Sequence, residues 1–545
     1  VELFFWVEAD RLQNCVFRQF HAEKDVVREE RRMYENRPGA LFGEAIDRAI
    51  FGSHPYAHPI LGYHEDLRQL TRKELREFFS TYYAPDNAVL MVGGDVEPER
   101  IFALAERYFG PIPPASHDRP RVPVLRIPRS GEIRMEGRGT GRTAVDVYYR
   151  LPAGDTEQAL ALNLLAMHLG DEEGALAKDL VEERKVAISM SARYDARKYG
   201  GVLHISTVLS PTGKHEDVEK RIVEAVEEVR AGPLADDAMD RLRRRYRARV
   251  LGAVRNDMRI GFMILRREMA GSWRDIERDL VRAKTLPASE IHEAARAYLV
   301  PENAVVTHYT QDIEAEKPTP APAPLPAHLA GSDAGAAREA TSTEGTLPAS
   351  WKDLAYEPRE FVIPSGAEAR RELGNGIPTF IVPSRGDPIV RVSAMVLGGS
   401  AEDPVGKEGL GEIAASVLGE AGIEGLTPEA LKEKLEDMVA SVSTSSEIDT
   451  HTVTISVFPA DLDEGLGILQ KLLAAPALDA KAFDRIKAAM LSRIDAEDTR
   501  IRGVTGRLYR KLLWGDVPET RRPTRESVES ITLDDVRLRI AAVTG

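Results

Sequence analysis

The sequence predicts an α+β protein built from repeated domains, and three observations support that fold class. Segments with the 3.6-residue apolar period of amphipathic helices alternate with short apolar runs that are typical of strands. The residues from Phe51 to Pro55 return in similar form from Trp514 to Pro518. A proline-rich stretch separates the two occurrences. We therefore expect two-layer domains, each a mixed β-sheet packed with helices, in two homologous halves joined by a Pro/Ala-rich linker.

The length, charge and cysteine content of the chain limit the number of domains and the kinds of partner that we expect. A chain of 545 residues has room for about three or four domains. The net charge of −14 argues against nucleic acid as a partner, because phosphate binding needs a basic surface. The sequence has no apolar run of ~18 residues, so we expect no membrane span. The one cysteine, Cys15, excludes an intrachain disulfide and leaves the compartment open, with an exported or periplasmic location favoured over a cytoplasmic one.

Local patterns predict the elements of the first domain. Val1–Arg11 has the pattern of an amphipathic helix. Thr71–Thr81 is a second helix, because its leading threonine and Glu74 form the signature of a capped helix start. The apolar run Asn87–Gly93 predicts a short buried strand. Pro98–Tyr108 predicts a helix that ends before a proline-rich turn.

The next segment alternates strands and helices in the same way. Its predicted strands are Thr143–Leu151, Ile188–Ala192 and Val202–Leu209, and its predicted helices are Glu157–Leu169, Gly174–Arg184, His215–Arg230 and Ala235–Arg267. The segment closes on Tyr298–Val306, which echoes Tyr83–Leu90 in the first domain. The second domain therefore resembles a variant of the first.

A linker and a third domain complete the chain. Prolines alternate with Thr, Ala and Leu over Pro318–Pro326, a composition that cannot build a core. Beyond it, strands are predicted at Thr379–Pro383 and Ile389–Leu397, with a helix from Gly409. The expected domains are residues 1–114, 120–312 and 360–545, with the linker at 313–359.

The repeat fixes a numerical correspondence between the halves. Gly52 corresponds to Gly515, an offset of 515 − 52 = 463, and Thr71 corresponds to Thr532, an offset of 532 − 71 = 461. Subtracting 463 from 370, near the start of the second copy, gives −93. We therefore expect roughly 90 residues before Val1 and a whole protein of roughly 900 residues with four domains.

One predicted helix mixes carboxylates with apolar residues on a single stripe. At 3.6 residues per turn, one face carries Glu23, Val26, Val27, Glu30 and Tyr34. A carboxylate that faces a core is costly unless it is paired or bound to a metal. A solvated helix edge is the plainer interpretation of such a pattern. The stripe alone leaves both alternatives open.

Three motifs in this region carry a family resemblance. They are E-x-x-V-V-x-E-E-R-R at residues 23–32, H-P-Y-x-H-P-x-x-G at 54–62 and Y-Y-A-P-D-N-A-V-L-M-V-x-G-D-V at 82–96. Together they resemble the zinc metallopeptidases of the pitrilysin/insulinase family, the inverted zincins. The resemblance implies zinc as the cofactor, Glu30 as the third zinc ligand and Glu23 as a supporting catalytic acid. It also implies two halves of two related α+β domains each.

The central motif of that family is absent from this sequence. Members hold zinc with an H-x-x-E-H helix, and no histidine here has that context. Two explanations stay open: the motif precedes Val1, or the protein has lost it. By the offset, the first-half motif would fall at about 416 − 463 = −47.

The second copy shows where the motif would lie. Family helices of the form G-L-A-H-x-x-E-H align with Gly409–Ser416, which places Glu412 and Ser416 at the ligand positions and Ala415 at the base position. The third-ligand position, 30 + 463 = 493, holds Arg493. The resemblance therefore implies a degenerate second half that cannot bind zinc in this slot.

A second histidine pair gives a weaker metal signal. His54 and His58 have a spacing that would suit a metal on a helix. Pro55 and Pro59 interrupt any helix there, so we expect a turn in which these histidines are structural.

The resemblance implies a zinc-dependent endopeptidase that encloses peptides or unfolded polypeptides between two concave halves. The 545 residues alone should neither bind zinc tightly nor cleave peptides, because a catalytic zinc site needs three protein ligands. One alternative is a non-catalytic homologue that serves as a partner or scaffold subunit of a peptidase complex, and another is a plain structural scaffold. Association into a homo-oligomer, or a pairing of halves, is left open.

Overall fold

The computed structural model describes residues 1–127, 131–172, 174–253, 257–312, 366–383, 389–498, 501–515 and 517–544, together with 352 and 354. The predicted linker Pro318–Pro326 lies outside these residues. The chain forms two compact units, residues 1–242 with 260–382, and residues 243–259 with 383–545. Both units combine helices with a sheet, which confirms the α+β prediction.

The first unit opens with helices and short turns. The helices are α1 Glu2–Gln13, α2 Phe20–Glu35, α3 Ala40–Phe51, α4 His64–Gln69, α5 Arg72–Tyr82 and α6 Pro98–Phe109. The cap predicted for α5 is present, because the Thr71 hydroxyl accepts from the Glu74 backbone while the Glu74 carboxylate accepts from the Thr71 backbone. Proline at the first position of α6 suits a helix start, where its missing N–H has no intrahelical role.

A five-stranded sheet follows. Its strands are β1 Ile133–Gly139, β2 Ala144–Leu151, β3 Ala187–Arg197, β4 Gly200–Leu209 and β5 Ala304–Gln311. The order is β1-β5-β2-β4-β3, with β1 parallel to β5 and the other pairs antiparallel. The sheet is therefore mixed, as predicted.

Further helices accompany this sheet along the chain. They are α7 Ala159–Leu169, α8 Ala175–Ala177, α9 His215–Ala231, α10 Asp236–Gly252, α11 Asp257–Ala270, α12 Asp275–Ala283, α13 Ala288–Tyr298 and α14 Gly366–Ala369. A hairpin of β6 Arg370–Glu372 and β7 Pro378–Phe380 ends the first unit. Helix α7 is buried almost all round, which suits its continuous run of Ala and Leu.

The two faces of the sheet carry different residues. On β2, Val145, Val147 and Leu151 alternate with partly exposed side chains and are fully buried. On the opposite face, Ile50 and Phe51 of α3 pack in a cluster with residues of β4 and β5. This packing places α3, and the loop after it, over the middle of the sheet.

The second unit has a smaller sheet under its helices. Strands β8 Val390–Leu397, β9 Ser441–Ser446 and β10 Thr450–Val457 pair in the antiparallel order β8-β10-β9. The helices are α15 Leu410–Gly419, α16 Pro428–Asp437, α17 Leu462–Ala474, α18 Ala480–Asp498, α19 Ile501–Trp514, α20 Arg525–Ser530 and α21 Leu533–Thr544. An apolar core that includes Ile413, Ile455 and Ile494 joins them.

The strand predicted at Asn87–Gly93 is wrong. The run Asn87–Gly93 forms no strand, and Val89 and Leu90 are 53% and 46% exposed. Its backbone is extended at Ala88, but no neighbouring strand pairs with it among the described residues. Over the helix predicted at Ala235–Arg267 the structure describes two helices, α10 and α11, and residues 254–256 between them lie outside the described residues.

None of the described helices is both long and apolar enough to cross a membrane.

Two helices whose apolar residues lie 463 positions apart differ in exposure. Ile50 and Phe51 of α3 are each 3% exposed, whereas Leu513 and Trp514 of α19 are 57% and 65% exposed. The two pairs are separated by 513 − 50 = 463 positions. The apolar pair at the end of α3 therefore forms part of the core, and the apolar pair at the end of α19 lies on the surface.

We expect Ile50→Ala to lower the free energy of unfolding by about 3 kcal/mol, because it opens a cavity in a packed core. The matched variant Leu513→Ala should change it by less than about 0.5 kcal/mol, since an exposed side chain leaves no cavity. Urea unfolding monitored by circular dichroism measures both values. Equal losses in the two variants would contradict the burial difference.

Candidate functional site

Helix α2 carries the carboxylates singled out by the sequence. Three of its five acidic side chains pair with arginine on the same helix: Asp25 with Arg28 at 3.1 Å, Glu29 with Arg32 at 2.6 Å and Glu35 with Arg31 at 2.9 Å. Pairs at this spacing each add a few tenths of a kcal/mol to an isolated helix. The sequence of α2 thus supports a helix with a strongly charged outer surface.

The other two acidic side chains of α2, Glu23 and Glu30, differ from these three. They lie seven residues apart, two turns along the helix, and both are exposed. Neither has a hydrogen-bond or ion-pair partner among the described residues. The helix therefore presents two unpaired carboxylates.

The spacing of Glu23 and Glu30 among apolar residues predicts that both point into one cavity beside the sheet, and this prediction is wrong for the described residues, because Glu30 and Val26 are both exposed. The side of α2 that turns inward carries Phe20 and Arg31 instead. The sequence alone does not predict a buried Arg31, since a buried arginine needs a partner that periodicity cannot reveal.

Arg31 is the residue that sequence reasoning missed. It is 3% exposed, and its guanidinium binds Glu44 of α3 through both Nη atoms, with Nη2 to Oε2 at 2.9 Å. Its Nε donates to Glu35, which in turn binds His64 of α4 at 2.8 Å. The hydrogen bond to Glu44 raises the pKa of Arg31 above its usual value. The network fixes α2 against α3 and α4.

A lysine secures the other end of α2. Lys24 Nζ donates to the carbonyls of Arg68 and Leu70, at 3.3 Å and 3.2 Å, where α4 ends. The same ammonium lies 5.5 Å from the ring centroid of Phe20. Lone carbonyls at a helix end are satisfied by a cation, so this contact joins α2 to the α4–α5 turn.

The second unit contains the same arrangement at α18. Lys487 Nζ donates to the carbonyls of Glu529 and Ile531, at 2.8 Å and 2.7 Å, and lies 5.7 Å from the ring of Phe483. The lysines are 487 − 24 = 463 positions apart, and the rings are 483 − 20 = 463 apart. Three contacts of α2 therefore recur, with the lysine and the ring at an offset of 463 and the accepting carbonyls at 529 − 68 = 461 and 531 − 70 = 461.

The helix starts that follow also correspond. Thr71 and Glu74 cap α5 with distances of 2.8 Å and 3.2 Å between side chains and backbone nitrogens. Thr532 and Asp535 cap α21 with the same two distances. These positions are 532 − 71 = 461 apart.

The predicted second-half slot lies between α15 and α18. Arg493 binds Glu412 through two parallel contacts, Nη1 to Oε1 at 2.7 Å and Nη2 to Oε2 at 2.8 Å. The hydroxyl of Ser416 donates to the Glu412 carbonyl at 2.9 Å, and Ala415 is buried. The structure thus brings Glu412 and Arg493 into direct contact, with Ser416 one turn along.

The described residues do not fit a zinc ion. Among them, no group of three or more His, Cys, Asp or Glu side chains is arranged to hold a metal. On α2, no second ligand-type side chain lies beside Glu30 among the described residues. Between α15 and α18, the guanidinium of Arg493 is paired with the carboxylate of Glu412. Structural and catalytic zinc sites use three or four protein ligands.

The histidines after α3 lie in a turn, as predicted. His54 caps a short 3-10 helix, accepting from the Tyr56 backbone at 3.1 Å, and its Nε2 lies 2.8 Å from the Pro123 carbonyl. His58 is exposed and contacts Asp66 at 3.4 Å. Their side chains are tied to separate partners.

A buried histidine lies below the start of α15. His451 of β10 is 6% exposed, and its Nε2 has no partner among the described residues. Burial lowers the pKa of His451, and the charge of Arg539 lowers it further. Next to it, the buried Asp403 carboxylate accepts from the Gly409 and Gly411 backbones at 2.9 Å each. The fold therefore favours a neutral imidazole at this position.

We expect this histidine to make stability depend on pH. Its folded pKa is below the unfolded value of 6.5, so its contribution is complete above pH 6.5 and is lost as the pH falls. His451→Leu should lessen the fall in melting temperature between about pH 7 and pH 5. His58→Leu is the exposed control, and equal pH profiles for the wild type and His451→Leu would refute the assignment.

Comparison with known proteins points to one family. The model described as Peptidase M16 inactive domain matches residues 69–246. The zinc protease PqqE of Helicobacter pylori is 27% identical over 230 residues, 41% of this chain and 52% of that protein. An uncharacterized zinc protease of Mycobacterium leprae is 29% identical over 234 residues, 42% of this chain and 52% of that protein. The chain spans about half the length of these curated relatives.

A solved structure matches over almost the whole chain. The periplasmic protease PqqL from Escherichia coli aligns with a TM-score of 0.50 at 14% identity, over 99% of this chain and 61% of that one. At this level of identity the similarity concerns the fold alone.

Proposed function

We propose a function from the premise that this chain belongs to the M16 peptidase family: it is part of a zinc-dependent endopeptidase that cleaves peptides or unfolded polypeptides. One observation carries the proposal. Glu23 and Glu30 occupy the acidic positions of the E-x-x-V-V-x-E-E frame and are the two unpaired carboxylates of α2. A carboxylate without an intrachain partner stays available to a metal or a substrate.

Glu30 is the proposed metal ligand and Glu23 its supporting acid. Both lie on one helix, and Lys24 and Arg31 fix that helix near its two ends. Such fixed outer contacts are typical of sites in which a ligand must be held in one direction. The histidine pair and the general base of the family motif do not occur in this sequence, so activity requires residues from outside it.

We further infer that the second unit is a degenerate copy of the first. The recurring lysine, aromatic and cap contacts at offsets of 463 and 461 support a common ancestry of α2–α5 and α18–α21. In this proposal the second half serves as the non-catalytic wall of a chamber, and substrate is enclosed between the halves.

A second candidate function is that of a non-catalytic homologue, a partner or scaffold subunit of a peptidase complex. The observation that favours it is the family description itself, an inactive domain over residues 69–246. The discriminating fact is whether a histidine pair accompanies Glu30 in the whole protein.

The 545-residue chain should not take up zinc stoichiometrically at sub-micromolar concentration. Glu30 supplies one of the three ligands that a catalytic site needs. Metal analysis after equilibrium dialysis measures the uptake. One tightly bound zinc per wild-type chain would show that the described residues form a site that we have not recognised.

In a protein that contains the histidine pair, Glu30→Gln should abolish peptide cleavage and most of the bound zinc, because a neutral amide is a poorer zinc ligand than a carboxylate. Glu23→Gln should retain more metal while activity falls by about 10–100-fold. Glu29→Gln is the matched control, since Glu29 lies on the same helix and pairs with Arg32.

Zinc content and peptide turnover are measured together for the three variants. Full activity in Glu30→Gln would reject the zinc-ligand role of this residue. Absence of cleavage by a wild-type protein that carries the histidine pair would favour the partner or scaffold function.

A further inference from the structure

A crevice lies between the sheet and the helices of the second unit. Its walls come from β8, β9 and β10 on one side and from α15, α17 and α21 on the other. Two polar side chains also line it, His451 of β10 and Arg539 of α21. The larger apolar residues of the walls are Val396, Leu418, Val453, Leu473, Ile540 and Val543.

The two polar side chains each bring a buried nitrogen to this crevice. His451 is 6% exposed, and the side chain of Arg539 is 10% exposed. Neither Nε2 of His451 nor Nε of Arg539 has a hydrogen-bond partner among the described residues. Buried polar atoms in folded proteins are nearly always paired with a protein, water or ligand atom. Two such nitrogens in one crevice therefore mark a place that suits a polar group.

The other nitrogens of Arg539 contact the loop after β8. Nη2 donates to the carbonyls of Gly398 and Gly399 at 2.6 Å and 2.7 Å. Nη1 lies 3.6 Å from the Glu402 carboxylate, whose side chain is 65% exposed and is therefore screened by water. The buried Asp403 carboxylate accepts instead from two backbone nitrogens at the start of α15. Among the described residues, the guanidinium is thus not hydrogen-bonded to a buried carboxylate.

A carboxyl group matches both nitrogens. The guanidinium N–H only donates, whereas an imidazole nitrogen donates when it is protonated and accepts when it is not. A carboxylate accepts from both, and a carboxylic acid accepts from Arg539 while it donates to a neutral His451. An alcohol can form the same two hydrogen bonds, but it lacks the negative charge that strengthens a hydrogen bond to arginine. The apolar walls favour a hydrocarbon chain on the same ligand.

We propose that this crevice binds the carboxyl group of a short aliphatic acid. Its oxygens meet Arg539 Nε and His451 Nε2, and its hydrocarbon chain lies against Leu418 and Val453. The same chemistry is present in a free short-chain acid and in the carboxyl-terminal valine of a peptide. The site uses neither Glu23 nor Glu30, so this inference goes beyond the proposed peptidase function and does not depend on it.

Binding is measured on the 545-residue chain by NMR titration of labelled Leu and Val methyl groups, with butyrate, 1-butanol and N-acetylvaline as probes. We expect butyrate to bind once per chain with a Kd on the order of 1 mM, because so small a ligand makes few contacts. 1-Butanol should bind at least about 10-fold more weakly, since it carries no charge. Equal affinities of butyrate and 1-butanol, or no saturable binding of butyrate, would overturn the proposal. Where butyrate binds, saturation by N-acetylvaline identifies a peptide end as the source of the carboxyl group, and its failure to bind identifies a free acid.

A variant pair on α21 tests the guanidinium. Arg539→Gln should weaken butyrate binding at least about 10-fold, because the charged hydrogen bond is lost. Arg537→Gln is the matched control, since Arg537 lies on the same helix and pairs with the exposed Asp534 at 2.6 Å. The control should keep the affinity of the wild type. Circular dichroism and melting temperature check the fold, and unchanged affinity in a folded Arg539→Gln variant rejects the site.

If Arg539→Gln does not fold, the methyl spectrum of the wild type decides. Butyrate should shift the methyl signals of Leu418 and Val453, which line the crevice, and leave those of Leu513, which is 57% exposed, in place. Saturable shifts that leave out Leu418 and Val453 contradict the proposal.

Discussion

The buried ion pair between Arg31 and Glu44 is the interaction on which the candidate site of the first unit depends. Removing one member of such a pair typically costs about 3–5 kcal/mol, whereas replacing both by apolar residues is often neutral or stabilising. The pair therefore adds little net stability. Its two parallel hydrogen bonds instead fix the orientation of α2 relative to α3. Glu30 precedes Arg31 in the chain, so its position follows from that of the guanidinium.

The second unit does not contain this pair at the position that the 463-residue offset gives. The position 463 after Arg31 is Ile494, which is 8% exposed and belongs to the apolar core. The lysine contact, by contrast, is present in both units, at Lys24 and at Lys487. The lysine contact therefore joins a helix to the following turn in both units. Among the described residues, the buried arginine is found only in the first unit, next to the unpaired Glu30.

Residues that are neighbours in the sequence predict caps, helices and strands. Contacts between residues far apart in the sequence cannot be predicted in this way. The cap at Thr71 and the strand around Val147 follow from neighbouring residues and were predicted correctly. The run Asn87–Gly93 was judged buried from its apolar content, which cannot tell whether a partner strand lies beside it. Glu23 and Glu30 were placed on one helix, but the inward side of that helix depends on Glu44, thirteen residues beyond Arg31.

The two unpaired carboxylates of α2 follow from spacing in the sequence, once that spacing is examined for charge. Positions three and four residues from Glu23, in both directions, hold no Arg or Lys, and the same is true of Glu30. Every other acidic residue of the helix has an arginine at one of those positions and pairs with it. Three carboxylates of the helix are thus paired with arginine and two are not, so the charge pattern distinguishes the carboxylates that stabilise the helix from those that have no partner among the described residues.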